Sequence, residues 1–321
     1  MTMTSYDVTS IGEGGIRLSV PVGHRIQRAK SFNIQIAGTE ANVLCSLSSL
    51  KWNTSWFSAL PDSSLGRRVE FQYNAFGVDL SHVKRVPGAR IGTYYAEYAK
   101  PPMPTKVMFD RANTAFCNMT VDDIDWDQLL DTRLLLLSGL SLPLSPTVRT
   151  ILETASLKAH QAGVPVAFDV NYRTKLWSVE EARKIIRPFI ERSDILFCKL
   201  DDVNLLVKKV PDKESGLRAL SEVSNASVIV MSDGARGADA LVDGKHMHED
   251  AVPVEILDRL GAGDGLAAGV LHAWLRGDKE NCLKYGVNVA GLALSHYGEQ
   301  VTVTPEELDD LVKKPLTSLE R

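Results

Sequence analysis

The chain has 321 residues, enough for two domains or one large α/β unit with a sizeable core. Its 36 Lys and Arg against 40 Asp and Glu leave a net charge of −4, so there is no electrostatic pull towards nucleic acid or an anionic membrane surface. Hydrophobic residues at 44% and charged residues at 24% match the balance of a folded globular protein and exclude long disordered tracts.

The first residues, MTMTSYDVTSIGEGG, lack the basic start and apolar stretch of a signal peptide, and no run reaches the ~18 apolar residues of a spanning helix. Cys45, Cys117, Cys198 and Cys282 lie far apart with no CxxC pair, so neither a zinc site nor a disulfide framework is expected; a reducing, cytoplasmic setting fits. Segments 16–38 and 89–111 show β-branched and aromatic alternation broken by Pro and Gly, the pattern of antiparallel hairpins. Periodicity alone leaves open whether they join a main sheet; their position beside the first helical units suggests a small β lid.

From residue 133 short apolar runs alternate with amphipathic stretches, which predicts an α/β fold, a doubly wound, mainly parallel sheet flanked by helices. RLLLLSG (133–139) reads as a strand. A helix follows over 145–162, with Ser145-Pro146 at its start and Gly163 ending it. VPVAFDV (164–170) is the next strand, 178–193 a helix with an acidic first turn, and DILFCKL (194–200) another strand. The tail KKPLTSLER reads as a frayed end. The expectation is one α/β domain over 1–321.

DRLGAGDGLAAGVLHAWLRG (258–277) is the most informative stretch. Gly261, Ala262 and Gly263 precede Asp264, and Leu266, Ala267, Val270, Leu271 and Trp274 recur with helical spacing. A glycine turn thus feeds a helix N-terminus, whose unpaired N–H groups suit phosphate oxygens. Such an end supplies only about 0.3 to 1 kcal/mol, so catalysis of phosphoryl transfer also needs a base, a cation and positioning. Asp264 fits a base that takes a proton from an attacking hydroxyl; read as an isolated string, GAGD fits a helix-capping turn better, since such turns are common. GxxxxGK[ST], HExxH and GxSxG do not occur, and the glycines of 261–265 do not meet GxGxxG spacing after a strand.

At this point the sequence resembles the ribokinase-like (PfkB) carbohydrate kinases over nearly its whole length. DRLGAGDGLAAG resembles the family's DxxGAGDxFxxG signature, with Leu266 where Phe is frequent. The resemblance implies that Asp264 is the catalytic base and that the amides of Gly261, Ala262 and Gly263 form the anion hole. AGTEANVLCSLSSL (37–50) resembles the GGxxxN signature, with Ala37 in place of the first Gly, and implies that Gly38 and Asn42 meet sugar hydroxyls. DVNYRTKLWSVEEAR (169–183) is similar to the DxNxRxxLW segment of the 2-keto-3-deoxygluconate kinase branch. This implies Asn171 near the ketose or the transferred phosphate, Tyr94 contacting from the lid, and Phe109 where Tyr is frequent. Arg111 and Arg173 are then carboxylate readers, since paired planar forks suit a sugar acid; taken singly, each fits a surface salt bridge equally.

VIVMSDGARGADALVDG (228–244) resembles the family's nucleotide-covering strand–turn–strand, implying that Ser232, Gly234 and Gly237 approach ATP, with Asn288 on the adenine side. The family's NxxE segment aligns with Lys199 to Asp202; Mg²⁺ is expected with no direct protein ligand assigned, Asp202 acting through water. The implied partners are ATP and a small sugar acid, without nucleic acid or membrane, and a homodimer through the lid. The open alternatives are a fructokinase-like or 5-dehydro-2-deoxygluconokinase-like enzyme, and a sugar or nucleotide sensor without catalysis.

Overall fold

The computed structural model describes residues 4–99 and 102–313, so the tail beyond 313 and residues 100 and 101 of the second hairpin segment lie outside the described residues. Its strands are β1 (Val8–Ile11), β2 (Gly15–Val20), β3 (Asn33–Ala37), β4 (Thr54–Pro61), β5 (Val83–Val86), β6 (Gly92–Glu97) and β7 (Lys106–Asp110). They continue with β8 (Leu135–Ser138), β9 (Val166–Asp169), β10 (Ile195–Cys198), β11 (Val228–Ser232), β12 (Ala238–Val242) and β13 (Lys245–Glu249). The helices are α1 (Thr39–Ser49), α2 (Ser64–Phe76), α3 (Trp126–Leu130), α4 (Pro146–Ala162), α5 (Val179–Arg192), α6 (Leu200–Leu206), α7 (Lys213–Ser221), α8 (Ala262–Leu275), α9 (Cys282–Leu294) and α10 (Pro305–Lys313).

The strands VTSI, LLLS and ILFC are buried along their whole length, because helices cover both faces of the sheet and no alternation is required. Nine strands make that sheet in the order β13-β12-β11-β10-β9-β8-β1-β4-β5, parallel except for the β11–β12 and β12–β13 pairs. The strand order reverses between β1 and β8. Loops leaving neighbouring strands there turn in opposite directions and open a crevice at the carboxyl ends. Apolar layers lie on both faces, one through Leu44, Val69, Leu271 and Val289, the other through Ile151, Ile186 and Leu217.

The helix signals fall where the sequence puts them. The Ser145 and Ser178 hydroxyls accept from the amides of Val148 and Glu181, and Gly163 takes the left-handed turn that ends α4. The strand expected over 194–200 stops at Cys198, since Lys199 turns the chain and Leu200 already opens α6. Tight packing of α8 on α9 requires a glycine: a Cβ at Gly269 would lie 2.3 Å from the Tyr285 carbonyl oxygen.

Segments 16–38 and 89–111 hold the antiparallel pairs β2–β3 and β6–β7, joined through parallel β2–β6 into a separate sheet of order β3-β2-β6-β7. Register puts Gln35, Arg17, Tyr94 and Phe109 in one row across it, and Ile34, Leu18, Tyr95 and Met108 in the next row on the opposite face. Among the described residues no helix is long and apolar enough to cross a membrane.

Candidate active site

A cavity of about 580 Å³ opens at the carboxyl ends of the main strands, with the second sheet forming its other wall. Gly261 caps α8 in the left-handed region at φ 95°, which frees Ala262, Gly263 and Asp264 to form the first helical turn. All four line the cavity. No side chain can replace the hydrogen at Gly261 without strain, since a Cβ there would sit 2.9 Å from the Glu299 backbone.

Asp264 is the third residue of that turn. Its carboxylate accepts from Asn42 Nδ2 at 2.7 Å and Thr39 Oγ1 at 3.3 Å. Burial pushes its pKa well above the usual carboxylate range; the Asn42 hydrogen bond opposes this, and the charges of Glu299, Asp169 and Glu40 add to it. A carboxylate so placed has a strong appetite for a proton.

Loops after β9 and β10 supply Asp169, Asn171, Arg173, Lys199 and Asp202 to the same cavity. Burial raises both Asp169 and Asp202 to about 6, and for Asp202 the neighbouring Asp169 charge adds to the effect. Arg173 spends one guanidinium nitrogen on the Tyr172 carbonyl at 3.1 Å. Asn171 holds φ 40°, an uncommon conformation for a side-chain-bearing residue, fixed by its amide donating to Asp169 Oδ1 at 3.0 Å.

On the opposite wall Arg111 donates from Nε to Glu13 Oε2 at 2.5 Å, leaving the other end of its fork unused in that bond. Thr114 donates to the second oxygen of Glu13. Burial alone would lower the Arg111 pKa; the charge and hydrogen bond of Glu13, with the Glu40 charge behind it, together move it upward. Behind them Glu40 accepts from Ser141 at 2.7 Å and is raised to about 7 by burial.

The sequence pattern of the pfkB family carbohydrate kinases matches residues 6–306. The chain belongs to that family. This PfkB protein is 32% identical to a 2-dehydro-3-deoxygalactonokinase of Haloferax volcanii over 308 residues, 96% of each chain. It is 25% identical to a 5-dehydro-2-deoxygluconokinase of Listeria monocytogenes over 96% of each chain. The crystal structure of a 2-dehydro-3-deoxygluconokinase from Thermotoga maritima superposes with a TM-score of 0.89 at 29% identity, over 96% of this chain and all of that one. The PfkB protein is thus a carbohydrate kinase, a phosphotransferase with an alcohol group as acceptor, on the ribokinase-like α/β fold.

Of the residues singled out in the sequence, Gly38, Tyr94, Arg111, Asn171, Arg173, Ser232, Gly261, Ala262, Gly263 and Asp264 line the one cavity. The other four lie elsewhere: three away from any lining and one in a second cavity. Asn42 is fully buried behind the lining, its amide committed to Asp264 and Glu299, so it braces two carboxylates instead of facing a sugar. Gly234 and Gly237 shape the turn between β11 and β12 outside the cavity, where the Asp233 amide donates to the Gly237 carbonyl. Asn288 lies in a second cavity of about 350 Å³ with Val252, Val254, Leu292 and Leu311. Glu13, Asp169, Arg259 and Glu299 line the main cavity but were not among the residues singled out as site candidates. Glu13 follows β1 in a GEGG turn that hinted at a strand-end site, whereas Glu299, in the loop after α9, carries no local signal.

Proposed function

We propose that this kinase transfers the γ-phosphoryl group of ATP to the primary hydroxyl of a 2-keto-3-deoxy sugar acid, giving the 6-phospho sugar acid and ADP. One observation carries the reading: Arg111 and Arg173 line the same cavity as a buried carboxylate at a glycine-capped helix start. The unengaged guanidinium nitrogens suit a carboxylate, and a neutral sugar would leave them unpaired at a cost of about 1 to 3 kcal/mol. The names of the archaeal relative and of the Thermotoga structure, both kinases of 2-dehydro-3-deoxy sugar acids, support the same class.

Asp264 takes the proton of the sugar hydroxyl as its oxygen bonds to phosphorus and the bond to the β–γ bridging oxygen breaks. The amides of Gly261, Ala262 and Gly263 face the charge that gathers on the transferring group. The second sheet, read as a lid on a single domain, excludes water and holds the acid between Arg111 and Arg173. Gly38, Tyr94 and Asn171 frame the sugar.

The nucleotide runs from Ser232 towards the second cavity, whose apolar lining beside Asn288 suits an adenine ring. Segment 252–263 contributes to both cavities and gives ATP a continuous track. Among the described residues no group of three or more His, Cys, Asp or Glu is arranged to hold a metal. Asp169 and Asp202 fit Mg²⁺ nonetheless, because that ion takes one or two carboxylates and completes its shell with phosphate oxygens and water. An ion held there would neutralise phosphate charge. We also read the apolar row of Ile34, Leu18, Tyr95 and Met108 on the outer face of the lid as the seat of a second copy, and a cytoplasmic setting as the natural one for buried, unpaired cysteines.

The test is ADP release from the purified protein with 2-keto-3-deoxygluconate, 2-keto-3-deoxygalactonate, 5-keto-2-deoxygluconate and fructose. Turnover of either 2-keto-3-deoxy acid well above the other two sugars is expected. Preference for fructose overturns the acid reading, and binding without ADP release favours a sensor.

A further inference from the structure

Asp264 is the end of a chain of buried polar groups that starts on the lid. Arg17, on β2, is fully buried and points to the cavity side of its sheet. Its NH2 nitrogen pairs with Asp258 Oδ2 at 2.5 Å, its NH1 nitrogen with Glu299 Oε1 at 3.0 Å, and its Nε donates to Gln35 at 2.9 Å. Tyr94 on β6 donates to the same Glu299 oxygen, and Tyr98 donates to Asp258 Oδ1 at 2.8 Å. Asp258 heads the loop that carries the anion-hole amides and accepts the Leu260 amide at 3.1 Å.

The second oxygen of Glu299 accepts from Asn42 Nδ2 at 3.0 Å, while the same nitrogen donates to Asp264 Oδ2 at 2.7 Å. Gln300 donates to Asn42 Oδ1 at 2.6 Å, which fixes the amide in the orientation that aims its NH₂ group at both carboxylates. A primary amide has two N–H bonds, and here both are spent holding two acidic side chains apart at a set spacing.

We propose that Glu299 and Arg17 are positioning residues for the base: through Asn42 they hold the Asp264 carboxylate, and through Asp258 the amide loop, in register with the lid strands. This rests on the reading of Asp264 as the base. Arg17 is the only fixed cation hydrogen-bonded to these two acids among the described residues, and it ties both to β2, so lid and base share one rigid connection. A misplacement of the base by about 1 Å costs on the order of 10²-fold in rate, with little effect on binding.

The experiment compares Glu299→Gln, Asn42→Ala, their double variant and Asp264→Asn, using whichever 2-keto-3-deoxy acid the wild type turns over faster. Thermal denaturation and calorimetric binding of a non-hydrolysable ATP analogue establish folding. Glu299→Gln is expected to lose about 30- to 100-fold in kcat with both KM values within about threefold of wild type. The double variant is expected to be no slower than the slower single one, since both act on one carboxylate. If Glu299→Gln does not fold, Glu299→Asp, which keeps the Arg17 charge pair but withdraws from Asn42, is read by the same measures; Arg17→Lys is expected to restore less than a tenth of wild-type kcat. Wild-type kcat in a folded Glu299 variant, or multiplicative losses in the double variant, overturn the proposal while an inactive Asp264→Asn leaves the base in place. Retained turnover in Asp264→Asn overturns the base itself and the positioning role with it.

Discussion

The main-sheet wall of the cavity and the lid wall meet the same small volume with different materials. On the main-sheet side the wall is built of backbone amides and buried carboxylates: Gly261 to Gly263 present N–H groups, and burial raises the proton affinity of Asp169 and Asp202, the Asp169 charge adding to it for Asp202. On the lid side the two buried arginines arrive already matched, Arg111 with Glu13 and Arg17 with Asp258 and Glu299. The first wall is poised for ligands that bring charge, and the second is a pre-neutralised frame that sets shape and spacing. Loss of a group on the main-sheet side should therefore act on rate or ligand affinity alone, whereas loss of a lid-side charge should also cost folding stability.

The largest expected effect breaks the main-sheet side. Asp264→Asn should lower kcat by on the order of 10³-fold with sugar-acid affinity retained, measured by ADP release and calorimetry. Next come the two arginines, which sharpen the contrast. Arg173→Ala should cut kcat/KM for the acid by about 10²-fold with an unchanged melting temperature, whereas Arg111→Ala should also destabilise the fold by about 3 kcal/mol because the buried Glu13 keeps only the Thr114 hydrogen bond and loses its counter-charge. Urea unfolding separates the two. Gly261→Ala should lose about tenfold in kcat, since its φ of 95° and the Glu299 backbone both resist a methyl group.

A smaller effect concerns pH. Asp169 and Asp202 sit at about 6 in the folded protein against an ordinary 3.8, so they take up protons as pH falls through about 6. A metal must displace those protons, and apparent Mg²⁺ affinity should drop several-fold between pH 7 and pH 5, with Asp202→Asn flattening the change. By the same linkage their contribution to stability without metal is full below about 4 and is lost as pH rises through about 6, which a pH series of melting temperatures checks. The smallest effect on turnover is expected from Ile34→Lys with Met108→Lys on the outer face of the lid. Light scattering should then report a monomer in place of a dimer, with kcat within about twofold.

The main-sheet wall was legible in the sequence because its parts are contiguous. A glycine turn, an acid and a helical apolar period stand within 258–277, and Ser145-Pro146 and Ser178 announce their helices by local chemistry. The lid wall was legible as strands only. The Arg17 side chain bonds to groups 241 and 282 positions away along the chain, and no periodicity links such partners. Asn42 was singled out for sugar hydroxyls and instead meets two buried acids, since a polar residue in the first turn of a helix looks alike whether it faces a ligand or a buried acid. For Asn288 helical spacing set the face of α9 but not which of the two cavities that face meets; it lines the second.

Glu299 lies near the end of the described chain, in the loop that follows α9, yet it bonds to residues on β2 and β6. Synthesis from the N-terminus therefore makes both walls long before it makes the piece that locks them together. A nascent chain halted before residue 299 carries the glycine turn and both arginines but lacks the keystone, so ribosome-bound intermediates should consume no ATP on account of the sugar.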